Sequence, residues 1–356
     1  MMAFKIGNIQ VFPHNYYFDF MKWRKVTIGI SAFFVVLSLL IVGFKGLNYS
    51  IDFLGGAEIQ VNVLNNSLTR EQLQQTVVQQ GFSQAEVTSY GNLATRKDGE
   101  SSYLIRIQRQ KGQDENATTN RADLLVDKLK TQYGNEKIQI ASITNISGKV
   151  GREDEFKGYM ALLLSCIGIL IYIAYRFDTR FAPGAVLCLV HNVIIALGFM
   201  TMLDRPFTTA SIAAFLTIVG YSINDTVIVY DRIRETRLLQ PKMPMVDVVN
   251  RSISQTMNRT ILTSTTGVLA LIVLSVIGGG SIEDFAITML VGVIVGTYSS
   301  IYVAAPLTLM MDKYFNKLGW KQKSQGEAAK VERPKDYAPP IYVRKKSVQE
   351  KKINGS

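Results

Sequence analysis

The stretch Gly220-Tyr-Ser-Ile-Asn-Asp225-Thr-Val-Ile-Val-Tyr-Asp231-Arg-Ile-Arg-Glu235 sets one carboxylate, Asp225, inside an apolar run from about Ala210 to Tyr230. A run of this length spans a bilayer core of about 30 Å. An ionised side chain at such depth costs roughly 2.5–3.5 kcal/mol on insertion scales, so a carboxylate there needs a partner or a task. Asp231, Arg232, Arg234 and Glu235 mark the water boundary. At ~1.5 Å rise per residue, Asp225 lies about 9 Å inside that boundary, within the hydrocarbon but off its centre. The fold is therefore that of a membrane protein, and for Asp225 an ion-relay role outweighs a structural one.

Working outward, the averages conceal a divided chain. Hydrophobic residues make up 47% and charged residues 19% of its 356 positions, but the charges are confined to a few segments. Six stretches read as transmembrane helices: Val26–Phe44, Gly158–Tyr175, Ala182–Leu203, Phe207–Tyr230, Thr260–Ile282 and Phe285–Met311. Lys5, Lys22, Arg24 and Lys25 precede the first, and the loop at 231–259 is also basic, whereas the turn at Gly278–Asp284 carries only Glu283 and Asp284. By the positive-inside rule both termini are cytoplasmic. The net charge of +11 reports this asymmetry and the tail, so it argues little for nucleic-acid binding. Residues 1–25 form a cytoplasmic N-terminus, and the span at 26–44 reads as a retained anchor, since no small-residue cleavage site follows it. Cys166 and Cys188 both fall in spans and read as small apolar packing residues.

The segment 45–157 is large enough to be a domain outside the cytoplasm. Its pattern predicts strand Glu58–Val63, helix Leu68–Gly81, strands Ala85–Tyr90 and Ser102–Gln108, helix Asn116–Gly134 and strand Lys137–Ile143. The order β-α-β-β-α-β is the split βαβ arrangement of ferredoxin-like domains. Residues 158–311 then hold five spans, with the cytoplasmic loop at 231–259 among them. In that loop Met245, Val248, Val249, Ser252, Ile253 and Thr256 share one helical face, which suits a helix lying along the leaflet or one buried against another chain. The basic tail at 312–356, polar beyond Trp320 and carrying Arg344-Lys345-Lys346, reads as disordered.

No nucleophile elbow, phosphate loop or zinc spacing is visible, which argues against a hydrolytic enzyme, and no cofactor or metal is expected. The informative polar residues lie in the membrane. Thr217, Tyr221, Asn224 and Asp225 fall at i, i+4, i+7 and i+8 and form one stripe; Thr260, Thr263, Ser264 and Thr266 crowd the cytoplasmic half of the next span, directly after Arg259. Two polar faces at one depth can line a hydrated path, or can act as helix-packing hydroxyls. Arg259 either snorkels to the interface or pairs with Asp225. His191 is either a relay member or a histidine satisfied by a helix–helix hydrogen bond. Gly292 and Gly296 form a small-xxx-small pair. Ser50-Ile-Asp52-Phe-Leu-Gly55-Gly56 opens the soluble segment and reads as a tight turn with Asp52 as a capping acceptor.

Four motifs together, Asp52-Phe-Leu-Gly55-Gly56, Val219-Gly220-Tyr-Ser-Ile-Asn-Asp225, Tyr230-Asp231-Arg232-Ile-Arg-Glu235 and Asn258-Arg259-Thr-Ile-Leu-Thr-Ser264, closely resemble the SecF family, as does Ser299-Ser-Ile-Tyr-Val-Ala304. The resemblance runs from Asp19 to about Leu309. SecF is the smaller half of the SecD–SecF accessory complex of bacterial protein export, in the resistance-nodulation-division superfamily. The resemblance implies six spans, a periplasmic ferredoxin-like domain, the bacterial inner membrane, an obligate SecD-like partner, association with the SecYEG channel, and preproteins as substrates moved with the help of the proton-motive force. It places the relay carboxylate on Asp225 and its basic partner on Arg259; Tyr221, Asn224 and Thr263, from the two polar faces read above, would support that relay. Many relatives carry Asp after the third-span His, where this chain has Asn192, which argues against titration of that pair.

Three functions remain in view. In order of support they are an ion-driven translocation subunit, a structural subunit of the translocon that carries no ions, and a half-exporter of small molecules or lipids.

Overall fold

The computed structural model describes residues 17–317, apart from short segments at 65–67, 83–84, 91–100, 110–114, 135–136, 147, 178–180 and 279. Residues 1–16 and the tail from 318 onward, with its basic cluster, lie outside the described residues. A 3-10 turn (Phe20–Trp23) leads into helix α1 (Arg24–Lys45), the short helix α2 (Ile51–Leu54) and strand β1 (Gly56–Val63). Helix α3 (Arg70–Gln79), strands β2 (Glu86–Tyr90) and β3 (Ser101–Gln108), helix α4 (Glu115–Tyr133) and strand β4 (Ile138–Ile146) follow. The chain then runs through α5 (Gly148–Arg176), α6 (Ala182–Met202), α7 (Thr209–Leu239), α8 (Met245–Ile277) and α9 (Gly280–Ser299). A π-helical turn (Ser300–Ala304) joins α9 to α10 (Ala305–Lys317).

The four strands form one antiparallel sheet in the order β2-β3-β1-β4. β1 alternates as the period of two requires: Ala57, Ile59, Val61 and Val63 point into a core shared with Leu73 and Val77 of α3 and Leu125 and Leu129 of α4. Thr69 and Gln72 close a capping box at the start of α3, which fixes where that helix begins. The Tyr133 hydroxyl meets the Thr76 hydroxyl at 2.6 Å and ties the two helices together. This core draws on no membrane helix, so residues 55–147 expressed alone are expected to melt cooperatively. A gradual melt with random-coil circular dichroism would show that the unit needs the bundle.

Among the described residues six helical segments are long and apolar enough to cross a membrane, the third to sixth being Ala182–Met202, Thr209–Leu239, Met245–Ile277 and Gly280–Tyr314. The chain is a multi-pass helical membrane protein. α6, α7 and α9 form its centre, while α1, α5 and α8 leave broad apolar faces uncovered, such as Phe33, Phe34 and Leu40 on α1.

Several boundaries differ from the sequence reading: α5 begins ahead of Gly158, and α7 runs on to Leu239, so most of the loop expected at 231–259 is helical. The amphipathic stretch from Met245 is not a separate interfacial helix but the first turns of α8. Its buried face, Val248, Val249 and Ile253, packs in a core with Phe20, Met21, Tyr230 and Ile233. The N-terminal strap is fastened there by the Met21 N–H donating to Asn250 Oδ1 (3.0 Å) and by Asn250 Nδ2 donating to Asp19 (2.8 Å). The polar turn expected at Gly278–Asp284 is a tight break, with Glu283 and Asp284 already inside the first turns of α9.

Candidate functional site

Asp225 lies on α7 and is only 3% exposed. α7 begins at a capping box in which Thr208 accepts from Ser211, and Asp52 adds a second cap: its Oδ2 accepts from the Thr209 N–H (3.0 Å) and the Thr209 hydroxyl (3.2 Å). Asp52 is thus a capping acceptor, but for the helix that carries Asp225, 157 residues away, rather than for its own turn. Gly55 has φ +76°, where a side chain is strained, and a Cβ on Gly56 would sit 2.2 Å from the Ile107 carbonyl oxygen. The two glycines bring β1 and β3 directly beneath the joint, and Ser50 and Phe207 clasp it through a 3.0 Å backbone hydrogen bond.

The stripe read from the sequence divides. Thr217, Gly220 and Asn224 are exposed, Tyr221 is half-buried, and Asp225 is buried. At about 100° per residue, Asp225 stands at the margin of the stripe, next to the inward row of Ile218, Ser222 and Thr226. Tyr221 crosses to α8 and donates to the Thr263 carbonyl (2.8 Å), so the Thr263 backbone, rather than its hydroxyl, is the contact. A Cβ on Gly220 would meet nothing within 4 Å, so the outward face of α7 is open on this chain.

The Ser264 hydroxyl of α8 lies beside the Asp225 carboxylate and is also 2.7 Å from the Thr297 hydroxyl of α9. Arg259 is exposed, and among the described residues it makes no ion pair within 4.0 Å of Asp225; its charge acts on the carboxylate from farther off. The structure therefore brings Asp225, Tyr221 and Ser264 together and leaves Arg259 at arm's length.

Behind Asp225 a second polar row runs from α6 to α7. His191 Nδ1 is 3.0 Å from Asn192 Oδ1, and Asn192 Nδ2 donates to the Ser222 hydroxyl at 2.6 Å. His191 Nε2 and the Thr260 hydroxyl are buried with no hydrogen-bond partner among the described residues. Close approach of α9 makes this row possible: a Cβ on Gly292 would meet Ile218 at 2.2 Å, and one on Gly296 would meet the Ser222 hydroxyl at 3.2 Å. Ser222 and Thr297 were not singled out from the sequence; the i, i+3, i+4 spacing of Ser222, Asp225 and Thr226 was the available signal.

Asp231 and Arg232 anchor the end of the bundle beyond Tyr230. Asp231 faces Arg176 of α5 at 3.6 Å, while Arg232 pairs with Glu235 and donates to Gln255 of α8 at 2.7 Å. Tyr230, fully buried, donates to the Ala304 carbonyl at 3.4 Å, inside the π-helical turn. Such turns often mark functional positions in helices, and this one falls where Ser299 and Ser300 are both fully buried.

A helical bundle with a buried membrane carboxylate, joined through a two-glycine turn to an α+β unit, fits a transport-class membrane protein. Residues 126–314 match the model of the SecD/SecF protein export membrane protein C-terminal region, and residues 41–63 match the SecD/SecF GG motif. The protein translocase subunit SecF of Magnetococcus marinus is 40% identical over 304 residues, covering 85% of this chain and 95% of that protein. That of Rickettsia rickettsii is 35% identical over 314 residues, covering 88% and 98%. A crystal structure of SecDF, a translocon-associated membrane protein from Thermus thermophilus, superposes with a TM-score of 0.70 at 32% identity, over 85% of this chain and 40% of that one. The chain belongs to the SecF family of protein translocase subunits.

Proposed function

We propose that this chain is the SecF-type half of a membrane machine that uses the proton-motive force to assist preprotein translocation through a SecYEG-type channel, and that it acts as an ion-coupled subunit rather than an enzyme. Its second half is a SecD-like chain. This chain spans only 40% of the SecDF chain it superposes on, which supports a partner of comparable architecture. The machine sits in the bacterial inner membrane with both termini cytoplasmic, and the sheet with α3 and α4 is a periplasmic ferredoxin-like domain. Asp225 carries the proton and Arg259 is the cation that meets it in another conformation, with Tyr221, Asn224 and Thr263 beside the path.

One observation carries this reading: a buried carboxylate borders an outward face, Thr217, Gly220 and Asn224, that this chain leaves uncovered. A polar face in lipid is costly, so a second half-unit is its natural cover. The test is preprotein uptake by inverted vesicles containing this chain and the SecD-like partner. Uptake is expected to rise when a proton gradient is imposed, and to show no such rise when either chain is omitted. Equal uptake with and without the gradient would favour a structural subunit.

A further inference from the structure

The outer face of the sheet, opposite its core, rests on the membrane bundle through a cluster of charges that the relay does not use. Arg106 is the centre. It is 6% exposed, and the antiparallel registers set it directly across from Glu58 on β1 and Glu86 on β2. Its Nε meets Glu58 Oε2 at 3.1 Å, and its Nη2 donates to the Ser281 hydroxyl of α9 at 2.8 Å. On the bundle side Arg205 Nη1 bridges Glu283 (2.8 Å) and Asp284 (3.1 Å). Arg70 of α3 donates to the Val87 carbonyl, next to Glu86. A Cβ on Gly280 would stand 3.9 Å from both the Ser89 carbonyl and the Thr88 hydroxyl, so the β2 edge lies on the break before α9.

The charges facing Glu86 from each element packed there are Arg106 of β3, Arg70 of α3, Arg205 of the α6–α7 turn and Glu283 of α9, with Glu58 and Asp284 completing the cluster. Four carboxylates thus face three guanidiniums. Among the described groups that face Glu86 the carboxylates outnumber the guanidiniums by one, and in a partly dry junction one bound proton evens that count.

We propose that this junction is a proton-dependent dock, in which the sheet closes onto the first turn of α9 as Glu86 takes up one proton from the surrounding solvent. The balance is simple: a carboxylate and a solvent proton become a carboxylic acid, and opening returns the proton. Burial is the main influence on Glu86 and raises its carboxyl above the ordinary carboxylate range, against the pull of Arg106, Arg70 and Arg205. A group whose affinity for protons is higher in the docked state stabilises docking fully below its undocked pKa, and that stabilisation fades as pH rises through the docked one. Acidification therefore tightens the dock. One proton limits the response to tenfold in the docking equilibrium per pH unit.

The experiment is a spin-label distance measurement on the full chain in nanodiscs, with labels at residues 131 on α4 and 203 at the end of α6 and with Cys166→Ala to remove the half-buried thiol. Between pH 4.5 and 8 the short-distance, docked population is expected to fall as pH rises, by no more than tenfold per unit. Glu86→Gln, neutral at every pH, should stay docked throughout. Ser281→Ala should lower the docked population at every pH while keeping the slope. A distribution that does not change with pH, or a Glu86→Gln protein with the full wild-type response, would overturn the proposal. Both faces of a nanodisc meet one buffer, and Asp225 is not in the cluster, so either failure leaves the relay reading untouched.

Discussion

Asp225→Asn is expected to assemble normally and to lose the whole gradient-dependent part of preprotein export. A proton crossing the membrane releases roughly 2.3 kcal/mol per 100 mV, and a carrier of that energy must alternate between charged and neutral forms. Asn has almost the same volume and can still hydrogen-bond beside Ser264, so the packing of α7 on α8 and α9 should survive. It cannot bind and release a proton. Arg259→Met is expected to act similarly, and Arg259→Lys to retain part of the activity through its charge. Arg259 and Asp225 are not within 4.0 Å here, so the proposed relay requires a different arrangement of α7 and α8, one in which Arg259 leaves the surface. The measurement is uptake into vesicles with and without an imposed gradient, at matched protein levels. Full stimulation in Asp225→Asn vesicles would remove the relay and put the structural-subunit reading first.

The parts legible from sequence are those written in period and hydropathy. Alternation in Glu58–Val63 and spacing at Leu125 and Leu129 marked the sheet and its helices to within a few residues, because the core depends on those faces alone. The long apolar runs marked the spans. What eluded the sequence was set by partners distant in the chain. Nothing local to Met245–Thr256 says that residues 17–23 will strap over it, so its amphipathic face suggested the leaflet instead. Asp52 suits a local turn equally well as an acceptor, and only the fold brings Thr209 to it. The inward row of Ser222 and Thr226 was hidden because isolated hydroxyls in membrane helices commonly bond their own backbone, as Thr226 does to the Ser222 carbonyl.

Gly56→Ala is expected to lower the melting temperature of the 55–147 fragment by about 10–20 °C. The added methyl would stand 2.2 Å from the Ile107 carbonyl oxygen, and Gly56 is paired in register on both sides, with Gln108 on β3 and Ile146 on β4. Neither backbone can give way without loosening its ladder, so the cost falls at the upper end of the roughly 1–3 kcal/mol seen for overpacking. For a domain of about this size each kcal/mol moves the melting point by ~4–8 °C. Gly81→Ala supplies the comparison. Its φ of +94° is unfavourable for a side chain, unlike the ordinary φ of Gly56, but nothing lies within 4 Å, so the cost is confined to backbone strain of about 1–2 kcal/mol. In the full chain the same methyl would also stand 2.7 Å from Ile51 Cγ2, on the short helix beside Asp52. Gly56→Ala there should shift Asp52 off the α7 N-terminus and weaken export, while Gly81→Ala leaves export intact. Equal melting losses in the two fragments would mean that the close approach of β1 to β3 at Gly56 does not set the joint.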